Sequence, residues 1–179
     1  MRVSSNKKEG QNGAGLRVCV IVSRFNSAIT GDLLSGALEG LKETHVRERD
    51  IEVIEVPGAF EAPQAAARIA KLRRPDAIIA LGAVIRGETP HFEYISSETT
   101  GGLMRVALDS GIPVLSGVLT VNTLEQAVSR STGKENKGRE AALGAVEMAL
   151  LFKSLTKKQG VHGNKAQGKR KRASNDVSV

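Results

Sequence analysis

The sequence is short of most features that announce a cofactor or a redox centre. Its one cysteine, Cys19, lies inside an apolar strand-like run, which excludes a disulfide or a thiolate metal cluster within one chain. The three histidines form neither a His pair nor an H-x-x-x-H spacing. A zinc-type site would need at least two further ligands, so no metal is expected. The turn after the first apolar run lacks G-x-G-x-x-G, and no G-x-x-x-x-G-K-[ST] occurs anywhere. A dinucleotide enzyme or a nucleotide-driven switch is therefore not expected. No apolar run is long enough to span a bilayer, and the opening MRVSSNKKEGQNGAG lacks the apolar stretch of a secretory signal. The expected compartment is the cytoplasm, with no membrane partner. Tryptophan is absent, and four phenylalanines and one tyrosine make up the whole aromatic set.

What is present is apolar substance, 40% of 179 residues, enough for one domain with a full core. The formal charge of +7 looks like a nucleic-acid signal until it is located. Residues 156–179 hold seven Lys/Arg and one Asp, a net of +6, which leaves +1 for residues 1–155. The body is near neutral and the basicity belongs to a tail. That tail carries few large apolar residues and is expected to be disordered, because it cannot offset its ordering entropy. Its Lys169–Arg172 run, KRKR, would attract RNA electrostatically. No aromatics interleave it to stack bases, so a solvated end is favoured over a nucleic-acid partner.

Four apolar runs read as strands: Leu16–Ser23, Ile51–Val56, Ala77–Ile85 and Ile112–Leu119. The third is almost continuously apolar, as a strand covered on both faces should be. Helical spacing recurs between them: Leu33, Leu34, Ala37, Leu38 and Leu41 with Thr30 and Asp32 near the start, then Glu61–Leu72 with Pro63 in its first turn. Ser96–Gly111, Thr123–Arg130 and Lys137–Leu155 complete the set. Strand and helix alternate throughout, which predicts an α/β fold with one four-stranded parallel sheet between two helical layers. The last helix is apolar on more than one side (Leu143, Val146, Met148, Leu150, Leu151), which predicts a second face buried against another subunit.

In open parallel sheets, ligands bind beyond the carboxyl ends of the strands. Here those ends carry SRFNS (Ser23–Ser27), PGAFE (Pro57–Glu61), RGETPHFEY (Arg86–Tyr94) and TVN (Thr120–Asn122). Phe25, Phe60, Phe92 and Tyr94 all lie in these segments, leaving only Phe152 elsewhere. Core aromatics would spread through strands and helices; clustering at one edge favours a flat ligand. Of the histidines, only His91 falls in a strand-end loop. It reads equally as a general acid/base or as a helix-start residue bonded to local backbone, and both readings stand. Arg130, Lys134 and Lys137 read either as an anion clamp or as an ordinary polar loop, and alone the loop is favoured. The backbone N–H groups of Gly87–Thr89 form a second candidate anion site, opposed by the charge of Glu88.

Five stretches go further than composition can. SRFN, VPGAFE, ALGAVIRGETPHFEY, GVLTVNTLEQA and NKGREAA stand in an order and spacing that resembles the 6,7-dimethyl-8-ribityllumazine synthase family, covering about Leu16 to Leu155. The resemblance implies a domain at 16–155 between an N-terminal arm (1–15) and the basic tail (156–179). It implies a flavodoxin-like three-layer α/β/α sandwich and a homopentamer with active sites at subunit interfaces, which in many members builds into decamers or sixty-subunit shells. Riboflavin synthase is then a candidate partner. The implied reaction condenses 5-amino-6-(D-ribitylamino)uracil with 3,4-dihydroxy-2-butanone 4-phosphate, the penultimate step of riboflavin biosynthesis, with no metal or organic cofactor.

Carried over position by position, the resemblance gives Phe25 the stacking role on the pyrimidine. It gives Ala59, Phe60 and Glu61 the ribityl chain and ring edge, and Ala83, Val84 and Ile85 the lining of the ring. Glu88 and Thr89, with Arg130 from the adjacent subunit, would hold the butanone phosphate. His91 would move protons, and Lys137 matches a lysine near the interface. Two departures stand out. Ser116 occupies a substrate-side position where many members carry an aromatic, and one residue fewer separates Arg130 from NKG, which breaks the correspondence of Lys134. The rival from another class is a non-catalytic module of the same fold that carries or senses a flavin- or pterin-like ring.

Overall fold

The four apolar runs become one sheet in the computed structural model, which describes residues 11–170, with side chains as far as Thr156. The strands are β1 (Val18–Ser23), β2 (Ile51–Val56), β3 (Ala77–Ile85) and β4 (Val114–Val121). All pair in parallel, in the order β2-β1-β3-β4. The helices are α1 (Ser27–Glu43), α2 (Ala62–Leu72), α3 (His91–Ser110), α4 (Leu124–Ser131) and α5 (Lys137–Arg170).

Every residue of β1 is buried, as are Ala77 to Ala83 of β3, so both central strands are covered on both faces. Strand side chains alternate between faces. Cys19, Ile21, Ile78 and Ala80 pack with Ala62, Ala66 and Ile69 of α2 and Leu103 of α3. The alternate residues, Val18, Val20, Ile79 and Leu81, are also buried, and so are Leu33, Ala37 and Leu41 of α1. α2 packs on α3, and α1 packs on α4. The result is the three-layer α/β/α sandwich that the alternation of elements predicts.

The chain divides into a unit that closes at Ala149 and a second that begins at Leu150. The first unit holds the sheet. In it, Val146 of α5 is buried while Leu143 and Met148 are half-buried. In the second, Leu150, Leu151 and Phe152 are half-buried and Leu155 is exposed.

Several boundaries differ from the sequence reading; β1 starts at Val18 and not Leu16, α2 starts one residue later, and α4 shifts by one residue. α3 opens at His91, not Ser96, because its first turn is polar and aromatic and shows no apolar period. β4 occupies Val114–Val121 rather than 112–119, since Pro113 supplies no N–H to the sheet and stands before the first paired residue. α5 continues to Arg170, past the end at Leu155 that apolar spacing predicts. At the other end of the chain, Gly13 N–H donates to Thr44 O (2.6 Å) and Leu16 is buried, so the segment from Gly13 is tied to the body. The arm before residue 11, residues 171–179 and the side chains of the KRKR run lie outside the described residues. Among those described, no helix is long and apolar enough to cross a membrane.

Candidate active site

The strand order places β1 beside β3, and the chain leaves β1 toward β2 on one side and β3 toward β4 on the other. That switch point opens a crevice at the carboxyl ends of the strands. Three loops converge there. Backbone pairing continues past the ends of β1 and β2: Arg24 N–H donates to Val56 O (2.8 Å) and Phe25 N–H to Pro57 O (3.1 Å). Asn26, in the left-handed region (φ 58°), donates its side-chain amide to Ala83 O (2.9 Å). Asparagine tolerates that conformation better than most residues. The loop after β1 is thereby fastened to both neighbouring strands.

The crevice is a cavity of about 740 Å³ whose walls include Phe25, Gly58–Glu61, Ala83–Ile85, Gly87, Thr89, His91, Phe92, Tyr94 and Ile95. That volume suits a small organic ligand. Phe25 is 69% exposed and Tyr94 66%, so neither ring serves the core. Gly82, beneath the floor, lets the Ala59 loop sit close: a Cβ there would lie 3.2 Å from Ala59 Cβ and 3.5 Å from a Val118 methyl. His91 opens α3 with its side chain exposed, after Pro90 as N-cap and without a side-chain cap. Two residues on, Glu93 forms an ion pair with Arg86. That hydrogen bond, with one to the backbone, holds the Glu93 carboxyl below its ordinary value.

Nine of the sequence-expected residues therefore meet: Phe25, Ala59, Phe60, Glu61, Ala83, Val84, Ile85, Thr89 and His91. Others do not join them in one chain. Ser116, Arg130 and Lys137 line a separate cavity of about 500 Å³ along β4, one of the two edge strands, with Glu140 and Gly144. Arg130 donates to Gln126 O (3.0 Å) and Ser129 Oγ (3.3 Å), and Lys137 is bonded to the Glu140 carboxylate. Glu88 is exposed in the loop before α3 and is not among the lining residues. Lys134 lines a third hollow with Asp32, Glu39 and Arg139, away from Arg130.

The chain matches the family model of 6,7-dimethyl-8-ribityllumazine synthase over residues 15–153. It belongs to the 6,7-dimethyl-8-ribityllumazine synthase family. Lumazine synthases are transferases of riboflavin biosynthesis that act on small molecules and assemble as oligomers. The matched stretch contains both cavities.

Gly58, Phe92, Tyr94 and Ile95, which carry no role in the resemblance, also line the main cavity, as does Gly87 of the candidate anion site. Phe92 and Tyr94 were visible as strand-end aromatics. Ile95 stands four residues after His91, one turn along the same helix face, and helical spacing would have found it once α3 was started at His91. The turn carrying Arg130 and Lys137 is held from within. Asn136 is buried, donates to Asp32 O (2.9 Å) and to Ser131 O, and accepts from Arg139 N–H (3.0 Å). Gly36 makes room for it, since a Cβ at that position would overlap the Asn136 amide.

Proposed function

We propose that this chain catalyses the condensation of 5-amino-6-(D-ribitylamino)uracil with 3,4-dihydroxy-2-butanone 4-phosphate to 6,7-dimethyl-8-ribityllumazine. Inorganic phosphate is released, and water is lost twice, at imine formation and at ring closure. The observation that carries the reading is the division of the site. Phe25 and His91 line the cavity at the switch point, while Arg130 and Lys137 line another along the edge strand β4. A complete site then requires the β4 edge of one subunit to face the switch-point cavity of the next. A closed ring of such contacts is a cyclic homo-oligomer, and we propose the homopentamer, with decamers or sixty-subunit shells as higher assemblies of it.

In this reading the pyrimidine lies on the exposed Phe25 ring, against Ala83, Val84 and Ile85. The ribityl chain runs along Ala59, Phe60 and Glu61. The butanone phosphate sits at Glu88 and Thr89, where backbone N–H groups precede α3, and the neighbouring subunit's copy of Arg130 completes the clamp with two N–H groups suited to phosphate. The amine attacks the ketone, and the carbinolamine loses water as the imine. A proton leaves the carbon next to the imine carbon, the C–O bond to phosphate breaks and phosphate departs. The enol so formed takes a proton on its terminal carbon and becomes a methyl ketone, on whose carbonyl the ribityl-bearing nitrogen closes the ring, with loss of the second water. His91, exposed in the cavity, takes and returns protons through these steps, a role that suits imidazole near neutral pH. Ser116 presents a hydroxyl and no ring from the β4 side, so the pyrimidine is stacked on one face only. Lys137, paired with Glu140, adds positive charge near the clamp.

The test is direct. Mixing protein with both substrates should produce the absorbance and fluorescence of the lumazine, and either substrate alone should not. Tight binding of a flavin or pterin ring with no lumazine formed would replace catalysis by a carrier role.

A further inference from the structure

Arg86 is the first residue after β3 and is not among the lining residues of either cavity. Its backbone N–H donates to Val121 O (2.9 Å), tying the end of β3 to the end of β4. Its side chain is used three ways at once. Nε donates to Asn122 Oδ1 (2.9 Å), a terminal N–H donates to the Glu93 carboxylate, and the guanidinium carbon lies 4.3 Å from the centroid of the Phe92 ring. Phe92 and Glu93 are the two residues after His91 in the first turn of α3. That turn has no side-chain cap of its own. One planar cation therefore grips two consecutive residues of the turn that carries the imidazole, and anchors the grip on the neighbouring strand end. Asn122 is itself braced, its N–H donating to Gln126 Oε1 (2.8 Å) of α4.

We propose that Arg86 is a positioning residue for His91, fixing the rotation of the first turn of α3 so that the imidazole points into the cavity. The inference rests on the proton role given to His91 above. It is specific to arginine. Lysine keeps the charge, but its single ammonium cannot serve Glu93 and Asn122 in a fork, and it has no flat face for Phe92. A small displacement of a catalytic group is enough to lower turnover by roughly a hundredfold.

The experiment compares Arg86→Lys and Arg86→Ala in the full chain, each also combined with His91→Ala. A positioning role predicts that kcat falls roughly tenfold to a hundredfold for both single variants, with both KM values within about twofold and the assembly intact. In the His91→Ala background the Arg86 substitutions should cost nothing further, because the residue acts through His91. Three results would overturn the proposal: a rise in KM for the phosphorylated substrate at unchanged kcat, full turnover in Arg86→Lys, or the same fractional loss in the His91→Ala background. A readout independent of activity separates this from failure of the catalytic reading. With diethyl pyrocarbonate followed by mass spectrometry, Arg86→Lys should change the modification rate of His91 and leave that of the exposed His45 as it was. An unchanged His91 rate would count against positioning even if His91 proved dispensable for turnover.

Discussion

Asn26 and Ala83 are joined by a 2.9 Å hydrogen bond from the asparagine side-chain amide to the backbone carbonyl of the neighbouring strand. This single bond holds the loop that carries Phe25 against the strand end that lines the cavity. Asn26→Ala should therefore act on both stability and binding. The partly buried Ala83 carbonyl loses its partner, and alanine must occupy the left-handed region, so a loss of about 1–3 kcal/mol is expected. A lowered thermal midpoint together with a raised KM for the pyrimidine is the expected pair of changes; an unchanged KM would show that the Phe25 loop holds its place without the bond.

Phe25 is exposed at the mouth of the cavity, so removing its ring should cost binding rather than folding. Phe25→Ala is expected to raise the pyrimidine KM about two- to tenfold, matching the 0.5–1.5 kcal/mol of one aromatic pair. With Ser116 on the other side, no second ring compensates. Steady-state kinetics with the phosphorylated substrate held saturating reads this directly, and an unaltered KM would remove Phe25 from the pyrimidine.

The turn between α4 and α5 depends on Asn136. Its truncation leaves the carbonyls of Asp32 and Ser131 and the N–H of Arg139 without their partner in a buried place. Asn136→Ala should destabilise the fold by about 2–6 kcal/mol, taking about 1–3 kcal/mol for each of the two least solvated groups. Chemical denaturation would measure it, and a loss below about 1 kcal/mol would mean that water replaces the amide.

Cys19 offers a pH test. Burial in β1 raises its thiol from 9.0 to about 11, with Arg73 acting weakly the other way. The folded protein thus holds the proton more tightly than the unfolded chain. The stability from this group is complete below the unfolded value, and is lost as pH rises from about 9.0 to about 11. Alkylation by iodoacetamide at pH 8 should be slow in the native protein and fast after denaturation. Equal rates in the two states would show that β1 opens readily.

The central strands were readable from sequence because burial on both faces leaves continuous apolar runs, and Ala77–Ile85 came out with its observed ends. The start of α3 was not. His91, Phe92, Glu93 and Tyr94 carry no apolar period, and the contacts of Phe92 and Glu93 with Arg86, in the loop after β3, are not shown by sequence spacing. The aromatic cluster and His91 were legible as strand-end residues. Residue patterning alone does not separate Ser116 and Arg130 from the rest of the site; the resemblance implies that Arg130 comes from the adjacent subunit, and the sheet order puts β4, with the cavity that Ser116 and Arg130 line, at an edge.

The central claim is that one subunit's His91 works with its neighbour's Arg130. Co-assembling His91→Ala chains with Arg130→Ala chains in equal amounts tests it most directly, with lumazine formation read at a phosphorylated-substrate concentration low enough to silence each parent. If sites form between subunits, about a quarter of the interfaces pair an intact His91 with an intact Arg130, and activity should recover toward roughly a quarter of the unmodified protein's. If hybrids stay as inactive as their parents while co-assembly is verified by mass, the site does not span two subunits and the account is wrong.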